Sequence, residues 1–250
     1  MPSVLRRRKA RHKPPYARTT QLAESHPDLD PGFHEPYGRC APFTMTSVER
    51  MYALWQAVRH VRRAAIMGDY VECGVWRGGS SMLAALTLAE EGDTSTRLWL
   101  YDTFEGMSKP TERDRAFDSD TSVAEHWDRI ASDGGAILAR ASLAEVRANM
   151  TATGIDPRRI VYVVGKVEET LPREVPDRIS LLRLDTDWYE STRHELEHLY
   201  PRLSPGGVLI IDDYGHWAGA REAVDEFFAG VPQAPLLSRI DYTGRLAVKR

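Results

Sequence analysis

The clearest helical pattern in the chain covers residues 47–67. Its apolar residues recur at intervals of three and four positions: Met51, Leu54, Trp55, Val58 and Val61. Ser47 precedes the first turn and can cap it, and Gly68 follows the last turn, where glycine commonly ends a helix. The spacing therefore predicts an amphipathic helix with one face directed toward a core.

Downstream of this helix, short apolar runs alternate with helical patterns. The predicted strands are residues 70–75, 97–102, 160–164, 179–185 and 207–211. The predicted helices are residues 80–90, 124–130, 143–150, 191–203 and 218–228. Residues 236–248 are typical of two strands joined at a turn that contains Thr243 and Gly244. This order predicts an α/β fold, with a mostly parallel sheet, helices on both faces and a closing antiparallel hairpin.

Composition narrows the class of protein. The 250 residues are 42% hydrophobic, which suits one domain with a sizeable core, and a net charge of −3 does not favour a polyanionic partner. No apolar run reaches the roughly 18 residues of a membrane-spanning helix, and no hydrophobic segment follows the basic N-terminus. Cys40 and Cys73 are too few for a disulfide framework, and Cys73 falls in a predicted buried strand. We therefore expect a reduced, cytoplasmic protein.

Residues 1–42 are predicted to form an N-terminal tail or arm ahead of a domain at residues 43–250. The tail contains a basic run made of Arg6, Arg7, Arg8, Lys9, Arg11 and Lys13. Such a run can bind nucleic acid or acidic lipid. Without interleaved aromatic residues or a recognition fold, it is more typical of a disordered or substrate-covering arm, so we expect no nucleic-acid or membrane partner.

A glycine-rich turn follows the first predicted strand. Residues 70–81 read YVECGVWRGGSS, so that an apolar run passes through glycines into a helix. Glycine lets a ligand approach the backbone, and the free N–H groups of a helix start favour polar ligands. The spacing is neither the dinucleotide motif G-x-G-x-x-G nor a P-loop. Such turns also need glycine for structural reasons alone, but their position is the usual nucleotide site of doubly wound sheets.

The second predicted strand ends in an acidic residue, Asp102, about thirty residues after Glu72. A carboxylate at this position can accept hydrogen bonds from both hydroxyls of a ribose. The alternative is that Asp102 caps a turn. Because the glycine-rich turn lies on the neighbouring strand, we favour ribose binding.

Four aspartates follow two later strands of the predicted sheet. Asp185 and Asp187 come after one apolar strand, and Asp212 and Asp213 come after the next. The carboxyl ends of parallel strands meet at one edge, where four acids repel each other unless a cation lies among them. Carboxylate oxygens suit Mg²⁺, and a metal ion lowers the pKa of a bound hydroxyl. The alternative is that these aspartates cap turns, but four of them on two adjacent strand ends favour a metal site.

Several aromatic and histidine residues are weaker candidates. His194 and His198 share one face of a predicted helix, but the opposite face carries the leucines, so we expect both histidines to face solvent rather than a metal. His216 follows the aspartate pair and is a candidate substrate contact. Trp188 and Tyr189 either line an acceptor pocket or pack against a helix. The polar stretch at residues 105–120 is a candidate lid.

These motifs together resemble the macrocin O-methyltransferase family, which includes the novobiocin sugar methyltransferase. The matching segments are the glycine-rich turn and residues 101–107 (YDTFEGM), 184–192 (LDTDWYEST), 203–207 (LSPGG) and 211–215 (IDDYG). The resemblance begins near residues 43–47 and extends at least to Phe228. It implies a Rossmann-like class I methyltransferase with a seven-stranded sheet, S-adenosylmethionine as methyl donor and Mg²⁺ as cofactor. Its acceptors are typically deoxysugar hydroxyls on antibiotics.

The resemblance also implies roles for individual residues. The methionine part of the donor is expected against Glu72 and residues 74–80, and its ribose against Asp102. The full set of expected donor contacts is Thr44, Met45, Glu72, Gly74, Trp76, Gly78, Gly79, Ser80, Asp102, Thr103, Phe104 and Gly165. Asp185, Asp212 and Asp213 are the expected metal ligands. Asp187 is the candidate general base, although the division of roles between Asp185 and Asp187 stays open.

Three alternatives to a sugar O-methyltransferase remain at this point. The first is a methyltransferase that acts on a phenolic or other small-molecule hydroxyl. The second is an NAD-type oxidoreductase, against which the missing G-x-G-x-x-G motif and the aspartate cluster both argue. The third is a binding module that has kept only the donor pocket. For the favoured interpretation we expect a small glycosylated acceptor and a homo-oligomeric enzyme.

Overall fold

The computed structural model describes residues 22–117, 124, 127 and 139–250. A seven-stranded sheet has the strand order β3-β2-β1-β4-β5-β7-β6. The strands are β1 (Asp69–Cys73), β2 (Leu98–Asp102), β3 (Ile160–Val164), β4 (Ile179–Leu184), β5 (Leu203–Ile211), β6 (Ser238–Arg239) and β7 (Arg245–Val248). β1 to β5 pair in parallel, and β7 runs antiparallel to both β5 and β6. The predicted α/β class, parallel sheet and C-terminal hairpin are therefore confirmed.

Helices lie between the strands and ahead of them. They are α1 (His34–Cys40), α2 (Val48–Arg63), α3 (Gly79–Glu90), α4 (Leu143–Thr151), α5 (Val167–Thr170), α6 (Tyr189–Leu199) and α7 (Ala218–Ala229). Short 3-10 turns occur at Pro31–Phe33, Ala41–Phe43, Pro157–Arg159 and Tyr200–Arg202. No helix in the described ranges is long and apolar enough to cross a membrane.

Alternation along the strands divides the core into two layers, one on each face of the sheet. Tyr70 and Leu181 belong to the layer that contains α2 and α3, whereas their neighbours Val71 and Leu182 belong to the layer that contains α6 and α7. All six residues of β4 are buried, as expected for a central strand covered on both faces. β1 and β4, which lie in the middle of the sheet, are therefore covered on both faces.

Two helix ends differ from the prediction for local reasons. α2 begins after its Ser47 cap as predicted but ends at Arg63. Ala65 adopts a left-handed conformation with φ of +51°, and the amide of Ile66 donates to the carbonyl of Val61 over 2.9 Å, which closes the helix before Gly68. α6, predicted to extend to residue 203, ends at Leu199. Pro201 cannot continue an α-helix, and the chain forms a 3-10 turn at Tyr200–Arg202 instead.

Part of the expected N-terminal tail packs on the core. Phe33 and Cys40 are fully buried, and the Phe33 ring contacts the rings of Tyr37, Tyr52 and Trp55. Residues 31–43 are therefore continuous with the core layer that contains α2. The basic run of the tail lies outside the described residues. So does most of the helix predicted at residues 124–130, of which Ala124 and Trp127 are described as helical.

The strand order reverses between β1 and β4. β1 is followed by a connection that leads to β2 on one side, whereas β4 continues to β5 on the other. In open α/β sheets such a reversal leaves a crevice at the carboxyl ends of the strands, and ligands bind there. The ends of β1, β2, β4 and β5 are the positions at which the sequence places its candidate residues.

Candidate active site

A cleft of about 420 Å³ lies at the carboxyl edge of the sheet. Residues predicted for the donor, the metal and the chemistry line it together: Thr44, Met45, Gly74, Trp76, Gly79, Ser80, Asp102, Thr103, Gly165, Asp185, Asp187, Asp212 and Asp213. Glu72, Gly78 and Phe104 were predicted with them but do not line the cleft. One continuous space thus joins the glycine-rich turn to the aspartate cluster.

The glycine-rich turn brings the ends of β1 and β4 into close contact. Gly74 has a φ of +83°, and a Cβ on it would collide with the carbonyl oxygen of Asp185. A Cβ on Gly79 would lie 2.7 Å from the carbonyl of Phe43. Glycine is therefore required at both positions, because the backbones of neighbouring segments leave no room for a side chain.

Asp102 caps two turns and also lines the cleft. One carboxylate oxygen accepts hydrogen bonds from the backbone N–H groups of Val75 (2.7 Å) and Trp76 (2.9 Å). The other accepts from the N–H of Phe104 at 2.7 Å. Asp102 therefore stabilises the glycine-rich turn and its own turn. It also lines the cleft, where a carboxylate oxygen with one backbone partner can accept one more hydrogen bond.

Glu72, an expected donor contact, lies behind the cleft wall. Its carboxylate is 1% exposed and accepts hydrogen bonds from Ser81, from Tyr70 (3.0 Å) and from Arg183 (2.5 Å). Burial raises the pKa of Glu72, and the Arg183 guanidinium opposes this shift. Both oxygens of Glu72 are engaged, and its partner Arg183 reaches the aspartate edge.

Two arginines bring positive charge to the aspartate edge. Arg183 is 2% exposed, and its Nη2 lies 2.8 Å from Asp185 and 3.0 Å from Asp212. Arg50 of α2 forms an ion pair with Asp212, and its Nε donates to Asp241 over 3.0 Å. Mutual repulsion was expected to require a metal cation, but guanidinium groups already supply positive charge. The acidic cluster alone is therefore not proof of a bound metal.

No preassembled metal cluster is present in the described part of the chain. Within residues 22–117 and 139–250, no group of three His, Cys, Asp or Glu side chains is arranged to hold a metal ion. His194 and His198 contact each other, with ring centroids 4.4 Å apart, and His194 Nε2 lies 3.3 Å from the Leu171 carbonyl. The histidine pair therefore packs on the protein surface away from the cleft.

Asp187 has an unusual backbone conformation and a buried hydrogen-bond partner. Its φ is +69°, a left-handed conformation that costs an Asp residue about 1 kcal/mol or more. The Trp217 indole Nε1 donates to Asp187 Oδ1 over 2.7 Å, and the Asp187 amide donates to Asp213 over 3.3 Å. Burial and the nearby Asp185 carboxylate raise the pKa of Asp187 to about 7. Its carboxyl group can therefore exchange a proton near neutral pH.

The pKa values of the neighbouring acids shift in the same direction. Burial raises the pKa of Asp185 well above its ordinary value, with Arg183 opposing the shift and Asp212 adding to it. Burial and the Asp187 carboxylate likewise raise the pKa of Asp213. Positive charge brought to this edge would favour the ionised forms of all three carboxyl groups.

Aromatic residues form the rim beside Asp187. His216 and Tyr242 both line the cleft, with the Tyr242 hydroxyl 3.3 Å from His216 Nδ1, and Tyr242 is 59% exposed. The His216 ring also contacts Trp217 at 4.6 Å between centroids. Trp188 and Tyr189, the other aromatic candidates, are buried and do not line the cleft.

Several hydrogen bonds connect the rim to neighbouring segments. Asp241 accepts hydrogen bonds from the amides of Thr243 (2.9 Å) and Gly244 (2.7 Å), and from the Ser47 hydroxyl (2.7 Å). The Gly215 amide donates to the Thr243 carbonyl over 2.9 Å, so the turn is joined to the segment that carries His216. Tyr242 is therefore presented at the cleft by a turn that two neighbouring segments hold in place.

The candidate lid is attached to the segments that begin α6 and α7 at several points. Gly106, Met107 and Ser108 line the cleft. Asp114 is fully buried, and its carboxylate accepts hydrogen bonds from the amides of Thr111 (2.7 Å) and Tyr189 (2.8 Å). Residues 105–117 thus form a cleft wall attached to the start of α6, and residues 118–120 of the predicted lid lie outside the described residues.

Sequence reasoning predicted the C-terminal turn but missed the positions of Arg50, Arg183 and Tyr242 at the cleft. Arg183 gives a signal that could have been used, because it is the only charged residue in the strand ISLLRL and a buried charge requires a partner. Arg50 and Tyr242 give no such local signal. Their roles depend on contacts between parts of the chain that are far apart in sequence.

The sheet order, with a cleft at its switch point, is that of the class I S-adenosylmethionine-dependent methyltransferases. A sequence model described as macrocin O-methyltransferase (TylF) matches residues 12–247. The chain belongs to the macrocin O-methyltransferase family, and it is an O-methyltransferase. This assignment decides against the oxidoreductase alternative.

Named relatives and solved structures agree with the family. The 8-demethyl-8-(2,3-dimethoxy-alpha-L-rhamnosyl)-tetracenomycin-C 4'-O-methyltransferase of Streptomyces olivaceus is 37% identical over 90% of this chain and 82% of the relative. The demethyldecarbamoylnovobiocin O-methyltransferase of Streptomyces niveus is 33% identical over 80% and 73% of the two chains. The structure of the O-methyltransferase NovP superposes with a TM-score of 0.72 at 31% identity, covering 83% of this chain and 82% of NovP.

Proposed function

We propose that this protein transfers a methyl group from S-adenosylmethionine to a sugar hydroxyl of a glycosylated natural product, with Mg²⁺ as cofactor. The observation that carries the proposal is the position of Asp187. Its carboxyl group has a pKa of about 7 and lies in the same cleft as the donor turn. A sugar hydroxyl does not ionise at neutral pH, so that its methylation needs a nearby group to take the proton.

The donor is proposed to lie along the glycine-rich turn. Gly74 and Gly79 keep that wall free of side chains, and Asp102 offers a carboxylate oxygen for a ribose hydroxyl. Thr44, Met45, Thr103 and Gly165 lie on the same part of the cleft surface. This arrangement directs the methyl group toward the aspartate edge, where the acceptor must approach in line with the bond that breaks.

The donor atoms at the aspartate edge suit Mg²⁺. Asp185, Asp212 and Asp213 offer hard carboxylate oxygens from adjacent strand ends, and the buried Asp212 Oδ1 lies 3.0 Å from Arg183 Nη2 without a well-aligned hydrogen bond. Asp185 and Asp213 have raised pKa values that a nearby cation would lower. These residues would hold the ion, which would supply Lewis-acid activation of the acceptor hydroxyl.

The protein's own residues supply the remaining functions. Asp187 accepts the proton of the acceptor hydroxyl, and the Trp217 indole orients the carboxylate that does so. Arg50 and Arg183 balance the negative charge of the edge when it is otherwise unoccupied. Met107 and Ser108 form the opposite wall and help to exclude water from the reacting atoms.

The acceptor is proposed to enter past His216 and Tyr242. An aromatic face can pack against the C–H face of a sugar, and the His216 ring can exchange hydrogen bonds with its hydroxyl groups. The tetracenomycin relative is named for a rhamnosyl-bearing acceptor. That acceptor is therefore a suitable first test compound for this protein.

The test is a turnover assay on two acceptor classes. Formation of S-adenosylhomocysteine is measured with 8-demethyl-8-(2,3-dimethoxy-α-L-rhamnosyl)-tetracenomycin C and related rhamnosides, and in parallel with phenols and catechols. We expect methylation of a rhamnoside hydroxyl, loss of turnover in excess chelator and recovery with Mg²⁺. Turnover of phenols alone would favour the phenolic alternative, and full activity in chelator would exclude the proposed metal.

A further inference from the structure

Glu195 is a buried carboxyl group beneath the site that the proposed mechanism does not use. It lies on α6 and is fully buried. Its Oε1 accepts a hydrogen bond from the Thr186 hydroxyl over 2.9 Å. Its Oε2 has no hydrogen-bond partner among the residues that the structure describes. A buried polar atom without a partner is costly, so this arrangement needs a reason.

The surroundings of Glu195 do not favour a negative charge. The charged groups that raise its pKa are the carboxylates of Glu168 and Asp213, whereas the contacts with the Thr186 hydroxyl and the buried Cys73 thiol oppose that rise. None of the ion pairs in the described part of the chain includes Glu195. Burial raises its pKa well above the ordinary value. A neutral acid is stable here, whereas an unpaired ionised carboxylate would cost several kcal/mol.

The partner of Glu195 is the central residue of the catalytic turn. Thr186 lies between Asp185 and Asp187, and the Asp185 amide donates to the Cys73 carbonyl over 2.9 Å. Because Asp187 has a left-handed backbone, the turn stores strain and needs contacts that hold it. The Thr186–Glu195 hydrogen bond attaches the turn to α6 through a side chain that does not line the cleft.

We propose that Glu195 is a positioning residue that, as a neutral acid, holds the Asp185–Thr186–Asp187 turn through the Thr186 hydroxyl. This inference rests on the proposed function, because it takes Asp185 and Asp187 as the carboxylates that act on the acceptor. Glu195 touches neither substrate nor donor. Its effect is to keep Asp187 at a fixed distance from the acceptor hydroxyl.

The experiment compares substitutions of Glu195 that differ in hydrogen bonding. Glu195→Gln keeps a neutral acceptor for Thr186, so kcat and KM should stay near those of the parent. Glu195→Met keeps the side-chain length but removes the acceptor, and kcat should fall about 10- to 100-fold while the Kd of S-adenosylhomocysteine stays unchanged. Glu197→Gln is the matched control, because Glu197 is exposed on the same helix and pairs with Arg193.

Thr186→Val tests the same hydrogen bond from the other side. It should lower kcat as Glu195→Met does, and the double variant should lose no more than either single variant. If Glu195→Met does not fold, Thr186→Val and Glu195→Gln still decide the question. A Glu195→Gln variant as impaired as the methionine variant would overturn the neutral-acid role.

Two further measurements separate this inference from the proposed function. Asp187→Asn is assayed on the same rhamnoside: retained activity would contradict the proposed function, whereas loss there with normal Glu195→Met and Thr186→Val would contradict the role of Glu195. The infrared difference between parent and Glu195→Gln at neutral pH should contain the carbonyl band of a protonated carboxylic acid. Bands of an ionised carboxylate in its place would overturn the inference.

Discussion

Asp187 is the residue at which backbone strain, hydrogen bonding and proton exchange meet. We expect Asp187→Asn to keep donor and Mg²⁺ binding but to lose roughly 10²- to 10⁴-fold in kcat, the usual contribution of a general base. Raising the pH should recover part of this loss, because the acceptor hydroxyl then ionises without help. Steady-state rates from pH 6 to 10 and calorimetric titration with Mg²⁺ measure both effects.

Asp185→Asn is the control for this experiment. Asp185 is proposed as a metal ligand, so its substitution should weaken Mg²⁺ binding, with activity partly recovered at high Mg²⁺ concentration. Metal rescue of the Asp187 variant together with pH rescue of the Asp185 variant would mean that the two roles are exchanged.

The raised pKa of Asp187 also predicts how stability depends on pH. In the unfolded chain the carboxyl group ionises near its ordinary pKa of 3.8, whereas in the folded protein its pKa is about 7. The folded state therefore keeps a proton that the unfolded chain releases between about pH 4 and 7, and this contribution to stability is lost as the pH rises through that window. Because asparagine does not ionise, the Asp187→Asn variant should not lose this stability as the pH rises.

Thermal unfolding in chelator measures this effect on the metal-free protein. The melting temperature of Asp187→Asn should rise relative to the parent between pH 4 and pH 8. Glu190→Gln, a change of an exposed acid at the start of α6, should show no such trend. A difference between Asp187→Asn and the parent that stays constant across this range would argue against the raised pKa.

At the scale of single elements, the turn between β1 and α3 depends on Asp102. Asp102→Ala leaves the amides of Val75, Trp76 and Phe104 without their acceptor, and it removes the proposed ribose contact. We expect the affinity for S-adenosylmethionine to fall by about 1–3 kcal/mol, with a lower melting temperature. Isothermal titration with the donor product S-adenosylhomocysteine measures the binding change.

Asp69→Ala is the matched control for the effect on stability. Asp69 accepts hydrogen bonds from the Arg97 amide (3.0 Å) and the Trp99 indole (2.9 Å) at the opposite end of the same strands. Its substitution should lower the melting temperature while donor affinity stays unchanged. Equal loss of affinity in both variants would show that Asp102 acts only by stabilising the sheet.

Arg50 joins α2, the aspartate edge and the C-terminal turn. Its guanidinium contacts Asp212 and Asp241, and Gly244 leaves room for its side chain, since a Cβ there would lie 2.8 Å from Arg50 Cδ. Arg50→Met should destabilise the metal-free protein by about 3 kcal/mol, because the buried Asp212 loses one of its two arginines. Mg²⁺ should raise the melting temperature of this variant more than that of the parent, and an equal rise in both would contradict a metal beside Asp212.

For the whole molecule, periodicity along the chain predicts the fold well. The regular spacing of apolar residues identifies α2. Both ends of β3 are predicted correctly, because a short apolar run between turns has few alternative structures. The ends of α2 and α6 are less predictable, since a left-handed alanine and a 3-10 turn at Pro201 decide them. Residues 31–43 gave no strong pattern, and their burial depends on the aromatic contacts of Phe33 with α2.

The site, like the fold, was predictable where it depends on local sequence and strand order, but not where it depends on contacts between distant parts of the chain. Asp185, Asp187, Asp212 and Asp213 come together because parallel strands end at one edge, which topology alone requires. Arg50 reaches this edge from a helix about 160 residues earlier in the chain, and no local pattern reveals such a contact. The contacts of Glu72 are hidden for a related reason, because its buried partner Arg183 lies on another strand. The predicted homo-oligomeric state still needs a measurement by sedimentation.

A crystal structure with Mn²⁺ and S-adenosylhomocysteine tests the central claim most directly, because Mn²⁺ substitutes for Mg²⁺ and gives an anomalous signal. We expect one anomalous peak coordinated by Asp185, Asp212 and Asp213, with Asp187 outside the coordination shell and facing open space beside the donor sulfur. No peak at the aspartate edge under saturating Mn²⁺, or a peak coordinated by Asp187, would contradict metal-assisted proton removal by Asp187.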